Sequence, residues 1–149
     1  MKVDNVPQKV IDLMTADKFV EFCGITLDEI GPGYAKTSVT IDNRHPNGAG
    51  IIQGGVLFTL ADYALASAAN SREKVSVSIE TSMSFIKGVS TGKVFATAKE
   101  VSVYVQGVGG NAADAAVNVC NFHVPIRIPL KKATVNFVAS PGRKQMPDL

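Results

Sequence analysis

The carboxylate of Asp62 is the side chain in this sequence with the clearest potential for chemistry. It stands within a stretch rich in Ala and Leu, where Asp itself has a poor helix propensity. It is also the only carboxylate between Arg44 and Arg72. A carboxylate in apolar surroundings tends toward a raised pKa and a functional role. We therefore take Asp62 as the candidate catalytic residue, while a solvated helix face is the ordinary explanation for a lone charge.

A pair of glycines, Gly54 and Gly55, comes directly before the helix-forming stretch that contains Asp62. The first N–H groups of a helix have no acceptor within the helix and lie at the positive end of its dipole. Glycine also lets a ligand approach the backbone closely. The pair therefore suits an anion or a developing oxyanion, although a tight turn into the helix explains it equally well.

The separation of these two features constrains how they can act together. Eight residues separate Gly54 from Asp62, which is ~12 Å along a helix at ~1.5 Å per residue. Asp62 is therefore too far away to serve an acyl group held at the Gly54 N–H of its own chain. If both act in one site, Asp62 comes from a second copy lying antiparallel. That arrangement predicts a two-fold dimer with two sites across the interface.

The helix that must position Asp62 is predicted from the stretch VLFTLADYALASAAN, which has no internal Gly or Pro. Its larger apolar residues recur at helical spacing and form a wide stripe, as expected of a helix packed onto a sheet. The stripe contains Leu57, Leu60, Ala61, Ala64, Leu65 and Ala68.

The segments around this helix predict one broken helix or two short helices, and an antiparallel sheet. The helical segments are 6–13 and 17–22, closed by Gly24, and Gly31-Pro32-Gly33 predicts a hairpin turn. Strands are predicted at 74–85, 93–105 with a bulge near Lys99-Glu100, 115–124 and 131–140, with a connection at 125–129. The order predicts an α+β fold, in which one antiparallel sheet of about five to six strands wraps around one long central helix.

The composition excludes several classes of protein. The chain has 149 residues, 46% hydrophobic and 19% charged, which is typical of one globular domain. A net charge of only +2 argues against a dedicated nucleic-acid binder. Cys23 and Cys120 lack the spacing of a disulfide framework or a zinc site. Because neither a signal peptide nor an apolar run of ~18 residues is evident, we expect a cytoplasmic protein without a membrane partner.

The run from about Phe19 to Gly92 resembles the PaaI-type (phenylacetate-pathway) branch of the hotdog-fold thioesterases. That family has an Asn-containing loop, a His-Gly-Gly turn and then a helix bearing Leu-Ala-Asp. This chain has NGAGIIQGGVLFTLAD in the same order, followed by a strand ending SFIKG. The resemblance implies a single hotdog thioesterase-like domain over 1–149, with an N-terminal helical segment at 1–24 and a frayed tail at 141–149.

The resemblance also implies roles for individual residues in the hydrolysis of an acyl-CoA. The Gly54 N–H would bind the thioester carbonyl oxygen, and Asn47 would orient that carbonyl or the water. Asp62 would be the general base or nucleophile, and Ser78 would orient the water, although an outward polar position on a strand explains Ser78 equally well. The expected substrate-binding residues are Gly55, Leu57, Phe58, Tyr63, Met83 and Lys87.

The main departure from the family is Gln53, which stands where His is usual. Gln can hydrogen-bond but cannot titrate, so two alternatives stay open: an acyl-CoA thioesterase, or a non-catalytic acyl-CoA-binding or sensing protein. The hydrolase would act on a small, medium-chain or aromatic acyl-CoA. It would need no metal and no cofactor, since coenzyme A is part of the substrate. The expected assembly is a homodimer or a dimer of dimers.

Overall fold

The computed structural model describes residues 1–72, 76–78, 81–85 and 87–106. It also describes the backbone of strands at 117–124, 126–128, 131–132 and 135–136, and side chains are described as far as residue 101. The predicted tail at 141–149 lies outside the described residues.

Two short helices occupy the N-terminal segment, α1 at Gln8–Thr15 and α2 at Lys18–Phe22. The N-cap of α2 is Asp17, whose side-chain oxygen accepts the N–H groups of Phe19 and Val20. After α2 the chain reverses at Gly24, which has a φ of 64°, a left-handed conformation that favours glycine. Of the two alternatives predicted for this segment, two short helices rather than one broken helix are therefore present.

The predicted hairpin is formed by β2 at Ile25–Gly31 and β3 at Tyr34–Thr40. Its turn contains Gly33, which has a φ of 70°. A further strand, β1 at Lys2–Val3, pairs with β2 in parallel, so the prediction of a purely antiparallel sheet is wrong at this edge. The physical reason is that α1 and α2 form a crossover between β1 and β2, and such a connection returns the chain in the same direction.

The central helix, α3, spans Gly54–Asn70 and begins two residues before the predicted stretch. The extra residues join the helix because Gln53, the N-cap, accepts the Gly55 N–H with its side-chain oxygen. All six residues of the predicted apolar stripe are buried. They belong to one core that also contains inward-facing residues of the sheet, including Val39 and Ala96. The predicted arrangement of a sheet packed around one long helix is confirmed.

A buried hydrogen bond fixes α3 against β3. The Thr37 hydroxyl donates to the Leu60 carbonyl oxygen at 2.9 Å, and Thr37 is fully buried. We expect Thr37→Val to lower the free energy of unfolding by about 1 kcal/mol, because it removes one buried hydrogen bond at nearly constant volume. Chemical denaturation measures this change.

Thr40→Val is the matched control for this prediction. It makes the same chemical change at an exposed position of the same strand, so it should alter stability by less than about 0.5 kcal/mol. Equal effects of the two substitutions would contradict a specific contribution from the bond between Thr37 and Leu60.

The longest strand, β4 at Lys93–Gln106, pairs with β3 on one side and with β5 at Val117–Val124 on the other. The predicted bulge is confirmed, because the pairing with β5 shifts register between Glu100 and Ser102. β5 covers only residues 99–106 of β4, which leaves the preceding part of that edge open. β6 at Ile126–Ile128 pairs there with Phe95 and Ala96. The prediction of a plain connection at 125–129 is therefore wrong.

The remaining strands are short. β7 at Lys131–Lys132 pairs with β6, and β8 at Val135–Asn136 pairs with β5. Both lie within the predicted strand at 131–140, the rest of which is outside the described residues. The sheet order is β1-β2-β3-β4-β5-β8, with β6 beside β4. Among the described elements, four strands contain seven or more residues, slightly fewer than the five to six predicted.

The segment after α3 departs from its prediction. In 76–78 and 81–85, the described parts of the predicted strand at 74–85, no regular strand forms, and only Ser78 lies in a single bridge. A strand needs a ladder of backbone partners, which alternation alone does not supply. At Ser76 the hydrogen-bond partner of the backbone is a side chain instead of a neighbouring strand. The Oδ1 of Asn70 accepts the Ser76 N–H at 2.9 Å, and its Nδ2 donates to the Ser76 carbonyl at 3.1 Å.

None of the helices in the described part of the chain is both long enough and apolar enough to cross a membrane.

Candidate active site

Asp62 lies half-buried in the middle of α3, between the buried residues Ala61 and Tyr63. The Ser78 hydroxyl donates to Asp62 Oδ1 at 3.2 Å. Burial raises the pKa of the Asp62 carboxyl above its ordinary value, the hydrogen bond from Ser78 lowers it, and the charge of Asp17 raises it. Removal from water is the largest of these effects, so the expected upward direction of the Asp62 pKa is confirmed.

The neighbouring Tyr63 joins the core rather than an open surface. Only 6% of the residue is exposed, and its hydroxyl donates to the Met14 carbonyl oxygen at 3.0 Å. Burial, followed by the charge of Asp17, raises the pKa of Tyr63 to about 12. This contact holds the end of α1 against α3.

The helix N-terminus is organised by Gln53. Its side-chain oxygen accepts the Gly55 N–H and thereby satisfies one of the unpaired donors of the first turn. Gly54 occupies the first helical position, where an N–H has no intrahelical acceptor. The Gly54 N–H therefore has no acceptor within the helix, and the Gln53 side-chain oxygen is occupied by the Gly55 N–H.

The ring of Phe85 lies directly over Gly54. A methyl group added at Gly54 would meet Phe85 Cζ at 3.1 Å, tighter than ordinary contact, while the Phe85 residue is 61% exposed. Phe85 is thus an apolar neighbour of the helix N-terminus that the sequence did not assign to the site. The signal for it was the aromatic-then-glycine turn SFIKG, which the resemblance singled out without giving Phe85 a role.

Asn47 lies in the exposed loop that leads to α3. Its Oδ1 accepts the Ala49 N–H at 2.9 Å and the Ile51 N–H at 3.4 Å, and its own backbone N–H donates to the Ile51 carbonyl at 2.7 Å. The side-chain oxygen therefore shapes the loop. The amide nitrogen of Asn47, which carries only donors, is the group that can contact a substrate carbonyl.

The expected substrate-binding residues divide between the core and the surface. Leu57 is buried in the core together with Tyr63, and Met83 packs half-buried against it. Gly55, Phe58 and Lys87 are exposed. The structure therefore leaves Phe58, rather than Leu57 or Tyr63, as the member of this group with substantial apolar surface on the outside of α3.

The described residues form two separate groups along α3. Asp62 and Ser78 make one group, and the helix N-terminus with Gln53, Gly54 and Phe85 makes the other. Eight residues of helix separate them, so about 12 Å lies between the two groups within one chain.

The chain is similar both to a family model and to an individual known protein. The family model of the thioesterase superfamily matches residues 49–121, which include Gln53, Gly54, Asp62, Ser78 and Phe85. A protein of Archaeoglobus fulgidus, whose name as an esterase is provisional, is 36% identical over 104 residues, covering 68% of each chain.

Solved structures of similar shape show the fold. The PaaI protein from the phenylacetic acid degradation operon of E. coli has a TM-score of 0.68 at 24% identity, covering 88% of each chain. A thioesterase of Haemophilus influenzae has a TM-score of 0.68 at 19% identity, covering 91% of this chain and 89% of its own. The hotdog fold expected from the sequence is confirmed.

Proposed function

We propose that this chain, which belongs to the thioesterase superfamily, is an acyl-CoA thioesterase. It would hydrolyse a small, medium-chain or aromatic acyl-CoA to the free acid and CoA. The observation that carries the proposal is the contact of Ser78 Oγ with Asp62 Oδ1 at 3.2 Å on a half-buried carboxyl of raised pKa. Such a carboxyl is a better proton acceptor than an ordinary surface Asp.

Each group then has a defined part in the reaction. The Gly54 N–H donates to the thioester oxygen and stabilises the negative charge that develops there. Asp62 removes a proton from water as the water oxygen attacks the carbonyl carbon, and Ser78 orients that water. The C–S bond breaks, and the CoA thiolate leaves and takes up a proton. In the alternative mechanism, an Asp62 oxygen attacks the carbonyl carbon directly, the C–S bond breaks to release the CoA thiolate, and water then cleaves the resulting anhydride.

The two groups on α3 serve one thioester only if they come from different chains. A thioester carbonyl cannot bridge the ~12 Å of helix between Gly54 and Asp62. We therefore propose a two-fold homodimer in which Asp62 and Ser78 of one chain face Gly54 and Asn47 of the other. A dimer of dimers is a further assembly of the same unit.

Free-thiol release from a panel of acyl-CoAs, from short aliphatic to aromatic, tests the proposed activity. We expect turnover with at least one member of the panel and none from the corresponding free acids. Saturable binding of an acyl-CoA without thiol release would favour the second candidate, a binding or sensing protein. The observation favouring that candidate is Gln53, which cannot titrate and whose side-chain oxygen is held by Gly55.

The hydrogen bond between Ser78 and Asp62 predicts a shift in the pH profile. Because this bond lowers the Asp62 pKa, its loss in Ser78→Ala raises that pKa further. Asp62 must be ionised to accept a proton, so the acidic limb of kcat/KM should move to higher pH. The measurement is kcat/KM for thiol release across the acidic range.

Ser78→Thr is the matched control, because it retains a hydroxyl and should leave the limb near its wild-type position. An unchanged limb in Ser78→Ala would show that the hydroxyl does not act on the catalytic carboxyl.

A further inference from the structure

His45 is a buried residue that the proposed reaction does not use. Only 1% of it is exposed. Its ring Nδ1 accepts the Asp42 N–H at 2.9 Å, so Nε2 carries the ring proton and donates to the Cys23 carbonyl oxygen at 2.9 Å. Its backbone carbonyl accepts the Gln53 N–H at 2.7 Å. One side chain and its own peptide unit therefore connect three separate stretches of chain.

The backbone contact closes the loop that precedes α3. Gln53 is bonded to His45, Pro46 forms a bridge with Ile52, and the Asn47 N–H donates to Ile51. The loop is thus a small closed unit with His45 at its base. Any displacement of His45 moves both ends of this unit, and one end is the entry to α3.

The ring contact docks this unit onto the end of α2. The last carbonyls of a helix lack intrahelical partners. At this end of α2, the Cys23 carbonyl accepts the hydrogen bond from His45 Nε2. The preceding carbonyl, of Phe22, accepts from Arg44 Nη1 at 3.0 Å. Arg44 also pairs with the Asp42 carboxylate at 2.7 Å, and this pairing holds the pKa of Asp42 well below its usual range. Arg44 is exposed whereas His45 is buried, so His45 is the part of this connection that water cannot replace.

We propose that His45 is a positioning residue for the reaction, holding the loop with Asn47 and the entry to Gly54 against the end of α2. This inference rests on the proposed thioesterase function. The N-cap of α2 is Asp17, whose charge raises the pKa of Asp62 in the same chain. His45 therefore ties the loop that leads to Gly54 to a helix that packs against α3 of the same chain.

Three substitutions test the two hydrogen bonds of the His45 ring one at a time and together. His45→Asn keeps an acceptor near the position of Nδ1, His45→Gln keeps a donor near the position of Nε2, and His45→Leu keeps neither. Small displacements of reacting groups cost up to about 100-fold in rate. We expect His45→Leu to lower kcat by about 10- to 100-fold with KM within about threefold, and the two polar variants to fall between it and the wild type.

Ile30→Ala is the control for a general loss of stability. Ile30 is 2% exposed on β2, so its truncation lowers Tm through the core without touching the loop. We expect Ile30→Ala to retain wild-type kcat below its Tm. Amide hydrogen exchange at Gln53, read by NMR, gives a measurement independent of activity. It should accelerate at least about tenfold in His45→Leu relative to Ile30→Ala, because opening of the loop is then local rather than global.

The comparison of kcat and the comparison of amide exchange give separate outcomes. Equal losses of kcat and equal exchange at Gln53 in His45→Leu and Ile30→Ala would overturn the positioning role. If His45→Leu does not fold, the Asn and Gln variants are compared with Ile30→Ala in the same two measurements. If the wild type releases no thiol from any acyl-CoA, the proposed function fails, and faster exchange at Gln53 alone decides whether His45 holds the loop.

Discussion

Asp62→Asn is expected to lower kcat/KM for thiol release by at least about 100-fold, the usual contribution of a positioned general base. The amide fills the same volume but can neither accept a proton nor act as a nucleophile. Ser78 can still donate to the remaining carbonyl oxygen, so the local structure should persist. Steady-state thiol release is the measurement, and Asp12→Asn, at an exposed carboxylate of α1, is the matched control.

The stability of Asp62→Asn separates a catalytic loss from a folding defect. The pKa of Asp62 is raised in the folded chain, so the folded state binds this proton more readily than the unfolded state does. The contribution of Asp62 to stability is therefore fully present below the unfolded pKa and is lost as the pH rises through the folded pKa. At neutral pH the ionised carboxyl is unfavourable, and Asn should leave the Tm unchanged or higher. Retained turnover in this stable variant would remove Asp62 from the mechanism.

Mixing two inactive variants is expected to restore activity. Gly54→Pro removes the N–H at the first helical position, where Pro is well tolerated. Gln53 already has φ −66° and ψ 133°, which suits a residue before Pro. Loss of one oxyanion donor should lower kcat by about 100- to 1000-fold.

Asp62→Asn and Gly54→Pro chains refolded together in equal amounts should recover about a quarter of wild-type turnover. The reason is that random pairing in a two-fold dimer makes half of the dimers mixed, and each mixed dimer has one intact site of two. Thiol release before and after mixing measures the recovery, with each variant refolded alone as a reference.

Gly54→Ala is the control for crowding, because it keeps the N–H while adding a methyl group against Phe85. If that variant is as inactive as Gly54→Pro, the Phe85 contact rather than the N–H explains the loss. Mixed samples no more active than their parents would show that Asp62 and Gly54 do not meet across an interface.

Local patterns in the sequence predicted the helical layer and most of the sheet. The apolar stripe of α3 is buried as expected, because helical spacing alone decides which residues share a face. The hairpin at Gly33 and the bulge after Glu100 were also predictable, since glycine punctuation and a slip in alternation are local signals. The candidate residues Asp62 and Ser78 were named from the sequence, and the structure brings them into contact.

Features that depend on distant partners were not predictable. The segment at 76–78 bonds to Asn70 instead of forming a regular strand, and β6 fills an edge of β4 that β5 leaves open. The position of Phe85 over Gly54 joins segments some thirty residues apart. The ring of His45 reaches 22 residues back to Cys23. In each of these contacts, the sequence around one residue has no local pattern that predicts the other residue.

The sequence by itself identified the candidate residues, because residue type and helical spacing place one carboxylate and one glycine-led N-terminus on a single helix. The tertiary structure decided their surroundings. Burial of α3 raises the Asp62 pKa, the fold brings Ser78 to its carboxylate, and Gln53 caps the first turn of the helix by accepting the Gly55 N–H. These properties arise from desolvation and from hydrogen bonds between distant segments, which exist only once the chain has packed.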